Sequence, residues 1–280
     1  MSAVRDRWTP GRVLVHVFLA FFSLATIYPI LQIVTISLRP SDQLYSTSLA
    51  LIPPGATLRA YHVMLFEKPF LLWLRNSFVV SIAVTLLGVT LASTAAYAFS
   101  RFRFRGRESG LYLFLLTQMF PATMLMLPLY VLMKSLHLLD TFAGLVVAYT
   151  ATALPFCVWT MRGYYDTIPI ELEQAALIDG CGPWQAFTKV TLPLATPALA
   201  ITALFSFMAA WSEFLVARIV LSRQELYTLP LGLESLAGQF QTEWANYAAG
   251  SLLVCVPVMV MFVVLNRWIV SGLSLGGVKG

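Results

Sequence analysis

The chain gathers its chemically capable residues in one polar run, Glu171-Leu-Glu-Gln-Ala-Ala-Leu-Ile-Asp179-Gly180, followed by Phe187 and Leu192-Pro193. The chemistry these types offer is recognition. His16, His62 and His137 are scattered and no carboxylate cluster offers a metal site, while no Gly-rich loop of the form GxxxxGK[ST] occurs to cradle a phosphate. Thr167 is a plausible N-cap, Pro169 suits a first turn, and Gly180 supplies the left-handed residue that ends a helix of two to three turns. On that helix Leu172, Ala175 and Ala176 share a face at i, i+3 and i+4, and the two alanines allow close docking into a groove on another protein. Gly182-Pro183 then opens a second short helix bearing Trp184, Phe187 and Val190, and Pro193 and Pro197 turn the chain back.

Everything around this run reads as membrane. With 59% hydrophobic and 11% charged residues and a mean hydropathy of +0.78, 280 residues lack the polar surface of a soluble globule. A span needs about 20 apolar residues to cross roughly 30 Å of hydrocarbon. Six such runs occur, at Val13 to Leu38, Ser77 to Phe99, Leu111 to Met133, Phe142 to Met161, Ala198 to Leu221 and Ala248 to Val270. Eleven of the eighteen Lys and Arg fall in segments that an N-terminus-inside topology places in the cytoplasm, four of them at Arg101, Arg103, Arg105 and Arg107. That bias puts both termini and the Glu171 run in the cytosol and makes the net charge of +5 a topology signal, with no nucleic-acid partner. The expected organisation is a cytosolic N-terminus over residues 1–12, a spanning domain over 13–270 with a cytosolic loop at about 162–197, and a cytosolic tail over 271–280.

The apolar run after Arg5 and Arg7 outlasts a signal-peptide core, so an uncleaved first helix is expected. Cys157, Cys181 and Cys255 have no metal-ligand spacing, and an odd count argues against a disulfide framework. Pro29, Pro121, Pro128, Pro155 and Pro257 lie inside expected helices, as simple kinks or as signs that the third and fourth helices line a pathway. Small residues over Ala92 to Ala98 suit a packing face. Glu213 sits well inside the fifth span, where an ionisable group is costly and so is a candidate on the transport path; a structural hydrogen bond or snorkelling to the interface is the alternative. Trp211 beside it is able to stack on a sugar ring or to anchor the helix at the interface.

The pattern Ala-Ala, two residues, Asp-Gly, then a long gap to Leu-Pro resembles the EAA loop of ABC-importer permease subunits. Tyr97-Ala-Phe-Ser-Arg101, Gln118-Met-Phe-Pro-Ala122, Val158-Trp-Thr-Met-Arg-Gly-Tyr164 and Gly276-Gly-Val-Lys-Gly280 reinforce the likeness, which spans nearly the whole chain and leans toward the smaller permeases of bacterial maltose/maltodextrin importers. The resemblance implies an all-α integral membrane protein of six transmembrane helices, the type I ABC-importer permease fold with a cytosolic coupling helix. Leu172, Gln174, Ala175, Ala176, Asp179 and Gly180 would couple to an ATPase. One position departs: Gln174 stands where the family motif has Glu, and Glu173 is rotated from it by about 100°.

The resemblance further implies alternating access driven by two separate ATPase subunits, with ATP and Mg on those partners and no cofactor on this chain. A second homologous permease completes the path, and an extracytoplasmic sugar-binding protein delivers substrate. Gln118, Trp211 and Glu213 are assigned to the substrate path, Leu236, Phe240 and Trp244 to the binding-protein loop, and Gly277 and Lys279 to a tail touching the ATPase. The implied location is the bacterial inner membrane, and maltose, maltodextrin and trehalose all stay open as substrates. An ion-coupled secondary sugar carrier is the rival; such folds usually show internal repeats and several buried polar groups near the midplane, whereas this chain has one deep carboxylate and no detectable repeat.

Overall fold

Long apolar runs with no internal break become single helices in the computed structural model, which describes residues 10–40, 50–237 and 242–276, with side chains to residue 266. The helices are α1 Pro10–Ser37, α2 Arg59–His62, α3 Phe70–Arg101, α4 Arg107–Gln118, α5 Ala122–Ser135, α6 Phe142–Tyr165, α7 Ile170–Ile178, α8 Pro183–Ala186, α9 Leu192–Leu194, α10 Thr196–Trp211, α11 Leu215–Val220, α12 Leu229–Glu234 and α13 Trp244–Gly276. Wider π-helical turns follow α2 at Val63–Glu67 and α8 at Phe187–Thr191, and a 3-10 turn covers Gln224–Leu226. Four helices, α1, α3, α6 and α13, are long and apolar enough to cross a membrane, or up to six spans if each of two bent pairs counts as one.

The expected third span is one of those pairs. α4 and α5 meet at 103° across Met119, Phe120 and Pro121. At 12 and 14 residues they reach only about 18 and 21 Å each. Proline lacks an N–H and disfavours helix in the residue before it, which accounts for the break at Pro121. Pro29, Pro128, Pro155 and Pro257, by contrast, stay inside helices. The expected fifth span, Ala198 to Leu221, is also interrupted: α10 ends at Trp211 and α11 begins at Leu215, so Glu213 lies in a gap and not on a continuous helix. The other bent pair joins Pro183–Leu194 to α10 at 78°, the turn expected at Pro193 and Pro197.

The chain divides into two compact units. In the first, residues to Pro69 with Ser235–Leu253, the Thr35 hydroxyl donates to Leu51 O at 2.8 Å, Ser37 Oγ and Tyr61 Oη share a hydrogen bond, and Lys68 pairs with Glu243 at 3.0 Å. The Lys68–Glu243 pair lines a polar cavity of about 310 Å³.

In the second unit, Phe70–Glu234 with the chain from Val254, α3 packs along α6 and α10. Hydrocarbon gives little drive for helix association, so close approach through small residues decides the packing. Ala92 and Ala96 of α3 are fully buried, as the Ala92 to Ala98 run predicts, and they meet Ala153 and Cys157 of α6 and Ala198 of α10 in one cluster. Two polar side chains at the start of α3 hold the return loop: Asn76 donates to Glu225 O and Tyr227 O, and Ser77 accepts from Leu229 N at 2.7 Å. Gly232 of α12 then lies so close to Trp73 that a Cβ would overlap the indole ring.

Asp140 makes a second clasp. Its carboxylate accepts from the N–H of Ser222 at 2.6 Å and of Arg223 at 3.1 Å, its own N–H donates to Val220 O, and Arg223 returns a bond to Asp140 O. The Ser222 bond, opposed by partial burial and helped by Arg223, holds the Asp140 carboxyl below the usual aspartate range.

Two outcomes follow. Gly232→Ala forces Trp73 to move and should cost about 1 to 3 kcal/mol, read as a lower melting temperature of the detergent-purified protein. A depressed pKa means the Asp140 contribution is full above the ordinary aspartate range and fades as pH falls through the folded value. The melting difference between wild type and Asp140→Ala should therefore shrink on acidification, measured by scanning fluorimetry from pH 7 downward.

Candidate functional site

The excursion between α6 and α10 is shaped by its end residues. Pro169 ends the preceding turn and stands at the N-cap of α7, while the Thr167 hydroxyl donates back to Tyr164 O and caps nothing, a correction to the expected N-cap. Glu171 and Glu173 in the first turn suit the positive end of the helix dipole. At the other end Gly180 has φ +88°, its N–H reaches Leu177 O, and Cys181 N–H reaches Ala176 O at 3.0 Å. That pair of bonds is a Schellman motif, and it satisfies two carbonyls the helix would otherwise leave open. Asp179 is the C-cap and exposed. Gln185 then accepts from the N–H of Gly182, starting α8.

One side of α7 is sewn to the end of α3. Arg101 donates through Nε to Glu173 Oε1 at 2.7 Å, through Nη2 to Ile168 O at 2.9 Å and through Nη1 to Ser100 Oγ at 3.2 Å. The second Glu173 oxygen accepts from Tyr97 Oη at 2.8 Å. Both charges are nearly out of solvent, with 9% and 7% of their side-chain surfaces exposed. Removing one partner from such a pair strands a buried charge, at a cost on the order of 3 to 5 kcal/mol. The Tyr97 ring also lies 4.5 Å from that of Phe187, so the same residue holds the π-helical turn.

Sequence reasoning missed this pair. In the sequence Glu173 reads as rotated from the motif position, and Arg101 as a topology charge and the end of a family-like run, without anything joining the two. The available signal was the Tyr97-Ala-Phe-Ser-Arg101 run, which ends a span on a cation one helical turn from a tyrosine.

The other side of α7 is open. Leu172, Gln174, Ala175, Leu177 and Ile178 are exposed, Ile178 to 86%, and Trp184 of α8 adds an exposed indole. Ala176 does not share this face with Leu172 and Ala175. Although it lies only about 40° around the helix from Leu172, Ala176 is buried at 9% on the side that Glu173 also occupies, whereas Leu172 is exposed to 44%.

The substrate-path candidates separate. Gln118 and Glu213 line one cavity of about 610 Å³, enclosed by the α4–α5 break, α6 and α11 and otherwise mostly apolar. Gln118 donates to Thr152 O, and the Glu213 carboxylate accepts from Val216 N and Ala217 N at 3.0 to 3.2 Å, neutralising the first amides of α11. Trp211 is not on that cavity. It is 3% exposed, stacked on Phe207, edge-on to Phe78 and bonded through Nε1 to Val254 O, so neither face is open to a sugar. Leu236 and Trp244 are half-buried and flank a single Ala237–Thr242 bridge; Phe240, Gly277 and Lys279 lie outside the described residues.

Residues 85–274, which carry α7, the Gln118–Glu213 cavity and the second half of α3, match the model of the binding-protein-dependent transport system inner membrane component family. The chain belongs to this family. It is a multi-pass membrane protein, and the relatives that it matches along its whole length are transport-system permeases. It is 36% identical to the maltose/maltodextrin transport system permease protein MalG of Photorhabdus laumondii over 100% of both chains, and 36% identical to that of Escherichia coli K12 at the same coverage. It is 35% identical to the maltodextrin transport system permease protein MdxG of Bacillus subtilis over 96% of this chain and 97% of that protein. Among solved structures, a chain of a bacterial ABC transporter involved in the import of the acidic polysaccharide alginate superposes with a TM-score of 0.82 at 24% identity, covering 94% of this permease and 99% of that chain, a likeness of fold.

For this permease the Glu213 geometry separates two roles. Glu213→Ala removes the acceptor for α11 and should cost about 1 kcal/mol of stability, as a lost N-cap does. Glu213→Gln keeps an acceptor, so its assembly should stay normal while sugar uptake falls if the carboxylate serves the path. Uptake in membrane vesicles, normalised to permease content, reads the difference.

Proposed function

We propose that this chain is the permease subunit of an ATP-driven importer for a maltose-type oligosaccharide, coupled through α7 to a separate ATPase. The observation that carries the reading is the two-sided character of α7: an inner side fixed by a buried ion pair and an outer side of exposed Leu172, Ala175 and Ile178. Contiguous exposed apolar groups on a charged excursion mark a protein contact. The full-length likeness to maltose and maltodextrin permeases favours that substrate class, with trehalose within the same chemistry.

In this reading each bent pair is one crossing, giving six spans with both termini and the α6–α10 excursion in the cytoplasm. Two ATPase subunits hold ATP and Mg; a second homologous permease completes the path past Gln118 and Glu213. An extracytoplasmic sugar-binding protein meets the loop from Leu236 through Phe240 to Trp244, and Gly277 and Lys279 of the tail reach the ATPase. Gln174, exposed beside Ala175, contributes a neutral hydrogen bond at the docking face where the family motif has a carboxylate.

The test uses the complex purified from its own membranes. Ala175→Trp, on the open side, should detach the ATPase. Gly180→Val, which places a β-branched residue at φ +88°, should detach it or uncouple its hydrolysis from uptake while the spans stay inserted. Both are read by the ATPase retained on affinity purification and by labelled-maltose uptake. Retained ATPase with normal coupled uptake in both variants would refute the docking role, and uptake driven by an ion gradient without ATP would favour the secondary carrier.

A further inference from the structure

We infer that Glu173 and Arg101 are positioning residues that tie α7 rigidly to α3, so that a displacement of α7 is passed along α3 into the membrane. The inference rests on the docking role proposed for α7 and adds the route by which its movement leaves the excursion. A docked helix transmits force only if its far side is fixed to something stiff. Among the described residues, Glu173 is the only α7 side chain that makes a hydrogen bond, and both of its oxygens are held by α3, from Arg101 and Tyr97.

The geometry favours α3 as the receiver. It is an unbroken helix of 32 residues, about 48 Å long, and the pair grips its last turn. α4–α5 and α10–α11, by comparison, are interrupted where a push would be absorbed. The same guanidinium also holds Ile168 O, and the Ser100 hydroxyl it touches donates to Asp166, so the corner joining α6 to α7 is locked to the same point. A fork with three donors in use fixes orientation as well as distance, which a lysine ammonium at that place would not.

The test reads α3 movement directly. A spin label is placed at Leu71→Cys, exposed at the opposite end of α3, with Cys181 and Cys255 changed to serine, and its mobility is recorded in the purified complex with and without ATP. The expected result is an ATP-dependent change in the parent complex that is lost in Glu173→Gln and in Arg101→Gln while the ATPase remains bound. The double variant should be no worse than either single, as for two residues acting through one link. Tyr97→Phe keeps both charges, guards against a folding failure of the other variants, and should weaken the change without abolishing it.

A pair that only stabilised the fold would lower the melting temperature and leave the label response of folded, ATPase-bound complexes intact; that result overturns the inference. So does an ATPase that dissociates from Glu173→Gln, which would place the residue in docking, or a parent complex whose α3 label ignores ATP. Failure of the docking role is read separately, by Ala175→Trp retaining both its ATPase and its coupled uptake.

Discussion

Two opposite charges withdrawn from water must find each other, and in this protein that requirement fixes where the polar excursion lies. Arg101 and Glu173 meet at 2.7 Å with almost no solvent contact. Because Arg101 closes α3 and Glu173 sits in the first turn of α7, the turn between α6 and α7 has little freedom left. Tyr97 extends the constraint, since its hydroxyl completes the carboxylate's partners and its ring sets Phe187 and hence the return into α10. The buried small residues of α3, α6 and α10 determine how closely the spans pack; the ion pair determines what the polar segment does relative to them.

Helix α7 also explains why an alanine pair there serves two purposes. Ala175 and Ala176 are about 100° apart. Ala175 lies on the open side proposed above to dock a partner, and Ala176 is buried, letting α7 lie close against its own subunit. A larger residue at either place would interfere, with different neighbours disturbed.

Much of this was legible beforehand, for physical reasons that differ by element. Apolar length marks a span directly, so α1, α3, α6 and α13 appear where the runs predict. The breaks were not legible, because in hydrocarbon both sides of a helix are apolar and periodicity gives no warning of an end. Proline was an uncertain guide: Pro121 breaks its helix, whereas Pro155 and Pro257 do not. Gly180 was readable because a left-handed cap needs glycine, and its φ of +88° agrees. The rotation between Glu173 and Gln174 was also readable, since they do face different surroundings. The partner on the inward side was not, because 72 residues separate Arg101 from Glu173 and no local rule joins them. Trp211 shows the converse, a residue whose type invited a ligand and whose ring the fold had already filled.

The break between α4 and α5 bears on the polarity of the adjoining cavity. Judged by side chains, the space beside Gln118 and Glu213 is greasy. A helix that stops inside the membrane leaves its last carbonyls, and the next helix its first amides, without helical partners. Here those groups belong to the end of α4 and the start of α5, where Thr117, Gln118 and Ala122 line that cavity. On the six-span reading proposed above, lipid would not satisfy them, and irregular backbone within a membrane is tolerated where it is buried in protein or borders a hydrated space. On that reading the bend would line the cavity with polar main-chain atoms, which point mutations of the lining cannot erase.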